Sequence, residues 1–312
     1  MKIIKINEND HGIRIDKFIN KLFPYWKKNF IFQALRTKKI KVNKKKVPPS
    51  YHLVSNDLIY LYLNEKNFCV QKTKHEWKLA KKEINVIYED KNLLIVNKPV
   101  KLVVVDQKNQ KNDTLINRIK LYLYMKGEWN ENNHFTPCLL HRLDTNTKGL
   151  IMIAKNYQTA RILSQKIKNH EIDKYYQCLV YGKFNVIEQE VKAFWFKPKN
   201  SNFVKIASKK INSNYLPIAM IYRVINYDKF KNISHLEIKL ITGKTHQIRA
   251  HLNFLGHPII GEQKYVKKGF IRMKKYKTQC LIATKICFNF QQDSSFLNYL
   301  KAKEISLKKI VF

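Results

Sequence analysis

The sequence predicts an α+β fold in which a small αβ module precedes a larger, strand-rich domain. Two observations carry this expectation. Apolar residues near the N-terminus recur at helical spacing and then give way to short strands. Beyond residue 83 apolar runs of strand length dominate, in an order too irregular for regularly alternating βα units. A polar stretch without periodicity, residues 65–82, reads as a linker, so the module is expected over 12–64 and the second domain over 83–312. With 45% hydrophobic residues in 312, the chain can bury a sizeable core.

Taken in order, Ile15, Phe18, Ile19 and Leu22 mark a first helix, and Phe30, Ile31, Ala34 and Leu35 a second. Ile40 to Val42 reads as a strand, Asn43 to Lys46 as a basic turn, and Leu58 to Leu63 as a closing strand. In the second domain, strands are expected at Val86–Tyr88, Leu93–Val96, Leu150–Ala154, Tyr175–Tyr181 and Leu236–Ile241. Asp113-Thr114 caps a helix that carries Leu115, Ile119 and Tyr122 on one face. Ala160, Leu163 and Ile167 mark another.

The formal net charge is +37, which points to a polyanionic partner, nucleic acid first among them. Only eight of the sixty basic residues are arginine, and the abundance of Lys, Ile, Asn, Tyr and Phe also fits drift towards AT-rich codons. Each arginine is the more telling for being rare, because lysine cannot replace its planar fork. The N-terminal residues offer no apolar core for a signal peptide, and no apolar run approaches bilayer length. Five cysteines without a Cys-x-x-Cys pair suit a reduced, cytoplasmic setting. A monomer is expected, away from any membrane.

The segment with most chemistry in it is Leu140-His141-Arg142-Leu143-Asp144-Thr145-Asn146-Thr147-Lys148-Gly149-Leu150, polar and turn-prone, running into an apolar strand. It presents a carboxylate at the mouth of a sheet. By chemistry alone Asp144 is open to the roles of acid, base, nucleophile or metal ligand, and a lone His-x-x-Asp is as often simply a structural turn. His141, His246, His251 and His257 have no familiar zinc spacing and read as structural or hydrogen-bonding, so no metal is expected.

Taken whole, that segment resembles the active-site signature of the RluA-type pseudouridine synthases. Further matches follow in the family's order: Tyr88-Glu89-Asp90 with Leu94 to Pro99, Lys174 to Gly182, and Thr242-Gly243-Lys244-Thr245-His246-Gln247-Ile248-Arg249-Ala250-His251 followed by Gly256 to Gly261. Gly12 to Phe18 and Leu35 to Lys45 are similar to the ribosomal-protein S-four-type RNA-binding domain, which accompanies the members acting on large-subunit ribosomal RNA. The subgroup includes RluC-like and RluD-like enzymes, and Arg36 to Lys46 with Pro49-Ser50-Tyr51 inclines towards the former.

The resemblance implies a largely antiparallel catalytic sheet and isomerisation of uridine to pseudouridine in large-subunit ribosomal RNA or its precursor particle. The reaction is redox-neutral and loses no atoms, so no cofactor is expected. Asp144 is implied as the catalytic carboxylate, attacking the anomeric carbon or removing a neighbouring sugar proton. Either role needs the ionised form, which an adjacent guanidinium favours, and Arg249 is the implied partner. Tyr176 is implied against the target base, and Arg142 in the space that the flipped uridine vacates. Arg36, Lys38, Lys39, Lys41, Lys44, Lys45 and Lys46 are implied phosphate contacts, which position RNA without reading its sequence.

Several positions depart from the family pattern. Lys39 stands where a glycine usually precedes the Ile40 strand, and Lys101 replaces another glycine. Val105-Asp106 replaces a histidine-glycine pair, Lys148 a serine, Lys244 an arginine and Glu262 an aspartate. Leu281-Ile282-Ala283 stands for leucine-histidine-alanine. The changes at Lys101, Lys148 and Ile282 favour, as a rival reading, a non-catalytic ribosome assembly factor that keeps the fold.

Overall fold

The computed structural model describes residues 1–63, 76–106, 112–131, 133–199, 201–266 and 276–312. In the N-terminal module, α1 (Ile15–Leu22) and α2 (Lys28–Arg36) pack on an antiparallel sheet ordered β1 (Lys2–Lys5), β3 (Leu58–Leu61), β2 (Ile40–Val42). Phe18, Ile19, Ile31, Leu35, Ile40 and Ile59 form its core. The sheet begins ten residues before the expected boundary, because pairing of Lys2–Lys5 with β3 brings Ile4 into that core. The β2 turn is left-handed at Asn43 and Lys44 (φ 49° and 63°), and the residue that leaves α2 left-handed is Lys38 (φ 62°). The backbone that favours glycine is therefore at Lys38, not Lys39.

Of the expected linker, residues 64–75 lie outside the described residues. Its remainder is not free chain: Trp77 is buried in the main core, edge-on to Trp129.

The larger domain is an α+β unit on an eleven-stranded sheet. Its main path runs β10 (Lys205–Ala207), β9 (Glu188–Phe196), β11 (Leu216–Asp228), β12 (Ile233–Leu240), β8 (Ile172–Tyr181), β13 (Leu281–Phe288), β7 (Lys148–Ala154), β5 (Leu93–Lys98), β4 (Val86–Glu89). Short β6 (Cys138–Leu139) and β14 (Glu304–Ser306) pair with β7 and β13. Among the described pairings only β7 with β13 is parallel.

Side chains alternate across a strand. Leu94, Val96, Ile151 and Ile153 therefore enter one core with Leu115 and Ile119 of α3 (Leu115–Met125). Leu93, Ile95, Leu150 and Met152 enter another with Leu163 of α4 (Tyr157–Lys168). Burial on both faces is why these strands read as unbroken apolar runs. Thr114 caps α3, accepting from Asn117 N at 3.3 Å, and Asn156 caps α4.

The module is seated on the large domain. The Phe18 ring meets His134 edge-on at 4.7 Å, the Lys21 ammonium lies 5.6 Å from the Phe135 ring centre, and Tyr157 packs on the module's core.

Candidate active site

Asp144 sits in the turn between β6 and β7, and three ties hold that turn. Thr147 N donates to the Asp144 carbonyl at 3.0 Å, and the Thr147 hydroxyl accepts from Gln279 Nε2 at 2.6 Å. Lys98, fully buried at the end of β5, donates to the carbonyls of Pro99, Leu102 and Thr145 at 2.8, 3.0 and 2.9 Å. Burial pushes the Lys98 amine down to about 8, opposed by the charge of Asp144. Gly149 then lets β7 lie against β13: a Cβ there would stand 2.2 Å from the Ala283 carbonyl oxygen, and φ is 123°.

The opposing wall is α5 (Gln247–Phe254), an element that strand-like patterning did not suggest. Gln247 fastens its approach, accepting from Thr242 Oγ1 and Lys244 N and donating to the Ala219 carbonyl. One turn in, Arg249 donates through Nη1 to Asp144 Oδ2 at 2.6 Å. Its Nε and Nη2 donate to the two oxygens of Glu262 at 2.6 and 2.9 Å. Burial works against the Arg249 charge, but Glu262 and Asp144 outweigh it and hold the guanidinium above its ordinary value. Burial also works against Glu262, whose side chain is 0% exposed, yet the Arg249 bonds keep it below the carboxylate range. Both stay ionised, as a buried bidentate pair requires.

His246, left-handed at φ 55° before α5, completes the cluster. Its Nδ1 is 2.6 Å from the Tyr265 hydroxyl and its Nε2 is 3.7 Å from Asp144 Oδ2. Burial pushes the imidazole down to about 4, so it is neutral near pH 7. Tyr265 also accepts from Val204 N at 3.3 Å, which holds its hydroxyl beside Nδ1. Tyr176, in the middle of β8, shares a core with Leu143 and Ile248. Its phenol is raised by burial and then by the charge of Asp144, and the hydroxyl has no hydrogen-bond partner among the described residues.

The fold thus brings Asp144, Tyr176 and Arg249 together. Arg142 is exposed at the same turn. Arg36, Lys38, Lys39, Lys44, Lys45 and Lys46 are exposed on the other module, with Lys41 half-buried near the Tyr62 ring, and none touches this cluster. Lys98 and Tyr265 carried no role in the sequence reading, His246 read only as structural or hydrogen-bonding, and Glu262 stood out only as a departure from the family's aspartate. The histidines fall in separate settings: His141 accepts from Met152 N, His257 donates to the Tyr181 carbonyl, and buried His251 has neither nitrogen bonded. No cluster of three or more His, Cys, Asp or Glu arranged to hold a metal ion occurs among the described residues. No helix among them is long and apolar enough to cross a membrane.

The chain is 32% identical over 288 residues to an uncharacterized RNA pseudouridine synthase of Mycoplasma genitalium, covering 91% of this chain and 88% of that protein. It is 35% identical over 285 residues to the ribosomal large subunit pseudouridine synthase C of Rickettsia felis, covering 88% of each. Human RNA pseudouridylate synthase domain containing 4 shares the fold, with a TM-score of 0.56 at 19% identity over 72% of this chain and 88% of that one. The RNA pseudouridylate synthase family model matches residues 92–254, more than half of the chain and the whole stretch from β5 to α5. The chain belongs to the RNA pseudouridylate synthase family.

Proposed function

We propose that this protein isomerises uridine to pseudouridine in large-subunit ribosomal RNA or its precursor particle, as a cytoplasmic monomer. The observation that carries the reading is the Asp144 carboxylate, joined at 2.6 Å to a guanidinium that Glu262 fixes from behind, with the buried Tyr176 close by. The names of relatives that act on the ribosomal large subunit support the choice of RNA.

In the proposed reaction the uracil N1–C1′ bond breaks, the base turns, and a C5–C1′ bond forms. The C5 proton leaves and N1 gains one, so atoms balance without a co-reactant. Asp144 acts at the sugar, by attack on C1′ or by removing the neighbouring proton, and in both routes Arg249 holds the carboxylate through its Nη1 hydrogen bond. Tyr176 lies against the base in this reading and assists proton removal from C5. The target uridine leaves its stack, at a cost of about a few kcal/mol, and Arg142 fills the space.

Residues 12–64 form the S-four-type RNA-binding domain, with β1 added to its sheet, and 83–312 the catalytic domain. Arg36, Lys38, Lys39, Lys41, Lys44, Lys45 and Lys46 hold phosphates. None has a carboxylate partner among the described residues, which supports this role. The Asp144–Arg249 pair and Tyr176 weigh against the assembly-factor reading.

The test is carbodiimide mapping of unmodified large-subunit RNA after incubation with the protein. Discrete new stops at a few uridines are expected. An unchanged map, on free RNA and on an early ribosomal particle, would remove the proposal.

A further inference from the structure

We infer that the N-terminal module holds one unpaired RNA nucleotide in the pocket between α2 and residues 46–49, its base against Phe32 and its phosphate on Arg36 and Lys46. The inference deepens the RNA-binding reading above and does not depend on the chemistry at Asp144.

The pocket has a volume of about 510 Å³ and is lined by Phe32, Arg36, Lys46, Val47, Pro48 and Pro49. Such a volume suits a small flat ligand. Phe32 and Arg36 are four residues apart on α2 and so project from one face of the helix. The other face, with Ile31, Ala34 and Leu35, already supplies the module's core. Phe32 is not needed there, and it stands 41% exposed with no ring partner among the described residues. Pro48 and Pro49 also line the pocket, and they are stiff and offer no backbone N–H.

An apolar pocket lined by an aromatic ring, a valine and two prolines suits a planar π-system. Arg36 and Lys46 at its rim have no carboxylate partner among the described residues, so an anion attached to that π-system meets both charges. A nucleotide is both at once. Unpaired RNA bases are held in this way, splayed from the strand and stacked on an aromatic side chain. Base-paired RNA cannot offer its base face to Phe32, so the pocket discriminates single strand from duplex where the surrounding lysines do not.

The experiment uses the full-length protein, a nine-nucleotide single-stranded RNA and the same sequence as a duplex, titrated at several KCl concentrations. Phe32→Ala is expected to weaken single-strand binding about tenfold and duplex binding less than twofold, without changing the salt slope. Phe32→Trp restores single-strand affinity. Arg36→Gln and Lys46→Gln each lower the salt slope by about one. Equal loss for both RNAs, or no loss for either, overturns the inference. So does loss of RNA discrimination with Phe32-dependent binding of a glutamate-rich peptide, which would make the pocket a protein site. If Phe32 governs single-strand binding while the wild type forms no pseudouridine, the pocket stands and the proposed reaction falls. Pseudouridine formed without any Phe32 effect on binding gives the opposite outcome.

Discussion

Arg249 joins two carboxylates that are unlike in their surroundings. Glu262 is sealed from solvent and takes two of its N–H groups, whereas Asp144 is 26% exposed and takes one. The buried half fixes the guanidinium, and the exposed half leaves Asp144 Oδ1 open to a substrate. This makes Glu262 a positioning residue that acts through Arg249. Glu262→Gln is expected to lower kcat at least about tenfold, with KM for RNA within a few-fold, because an uncompensated buried charge no longer holds its geometry. Glu262→Asp, the family's usual residue, restores most of kcat. A fall in KM and kcat together, unrelieved by Glu262→Asp, would mean that the residue serves only the fold. His246, neutral near pH 7, adds no titration around its ordinary value, so kcat should be flat there. A kcat step near pH 6.5 that His246→Gln removes would contradict this.

At the scale of elements, the parallel contact of β7 with β13 sets where Asp144 enters the sheet, and it depends on Gly149. Gly149→Ala is expected to cost about 3 kcal/mol or more in denaturant unfolding, since the new methyl meets backbone rather than a movable side chain. Lys101 is the reverse case: it is left-handed at φ 65° where the family usually has glycine. Lys101→Gly is expected to stabilise by about 0.5–1 kcal/mol, and a loss instead would show that the lysine side chain has a compensating contact.

These elements also show what the sequence made legible. The apolar run of β7 and the capped α3 were readable because period, length and cap agree. β9 and β11 were not, because their exposed residues break the alternation, as in the Glu188-Gln189-Glu190 stretch. α5 hid inside a motif whose polar residues are spent on the Gln247 ties rather than on a solvent face. Asp144, Tyr176 and Arg249 came from ordered motifs. Glu262 was visible only as a departure, since its role requires knowing that the turn after Gly261 comes back against α5. No pattern pointed to Tyr265, which meets His246 only through the fold.

Over the whole molecule, a net charge of +37 makes buried acids at the seam between the two modules consequential. Asp10 is fully buried there. The His134 and Phe135 amides point towards it, yet neither carboxyl oxygen makes a hydrogen bond of normal geometry. Burial raises it from 3.8 to about 6, opposed by Lys21. The folded chain therefore keeps a proton that the unfolded chain releases first. The stability this contributes is complete below about pH 4 and is lost as pH rises through about 6. Wild-type Tm should fall relative to Asp10→Asn between those values, with the two curves converging at the acid end. Parallel curves would place the proton elsewhere.

Whether Asp144 performs the isomerisation is read most directly by tritium release from large-subunit RNA labelled at uracil C5. Wild type and Asp144→Asn are run side by side, with RNA affinity measured on both. Release is expected from wild type and none from Asp144→Asn, with RNA affinities within a few-fold of each other. Release by Asp144→Asn at the wild-type rate would contradict the assignment. Loss of release and of binding together would make Asp144 a structural residue of the RNA site.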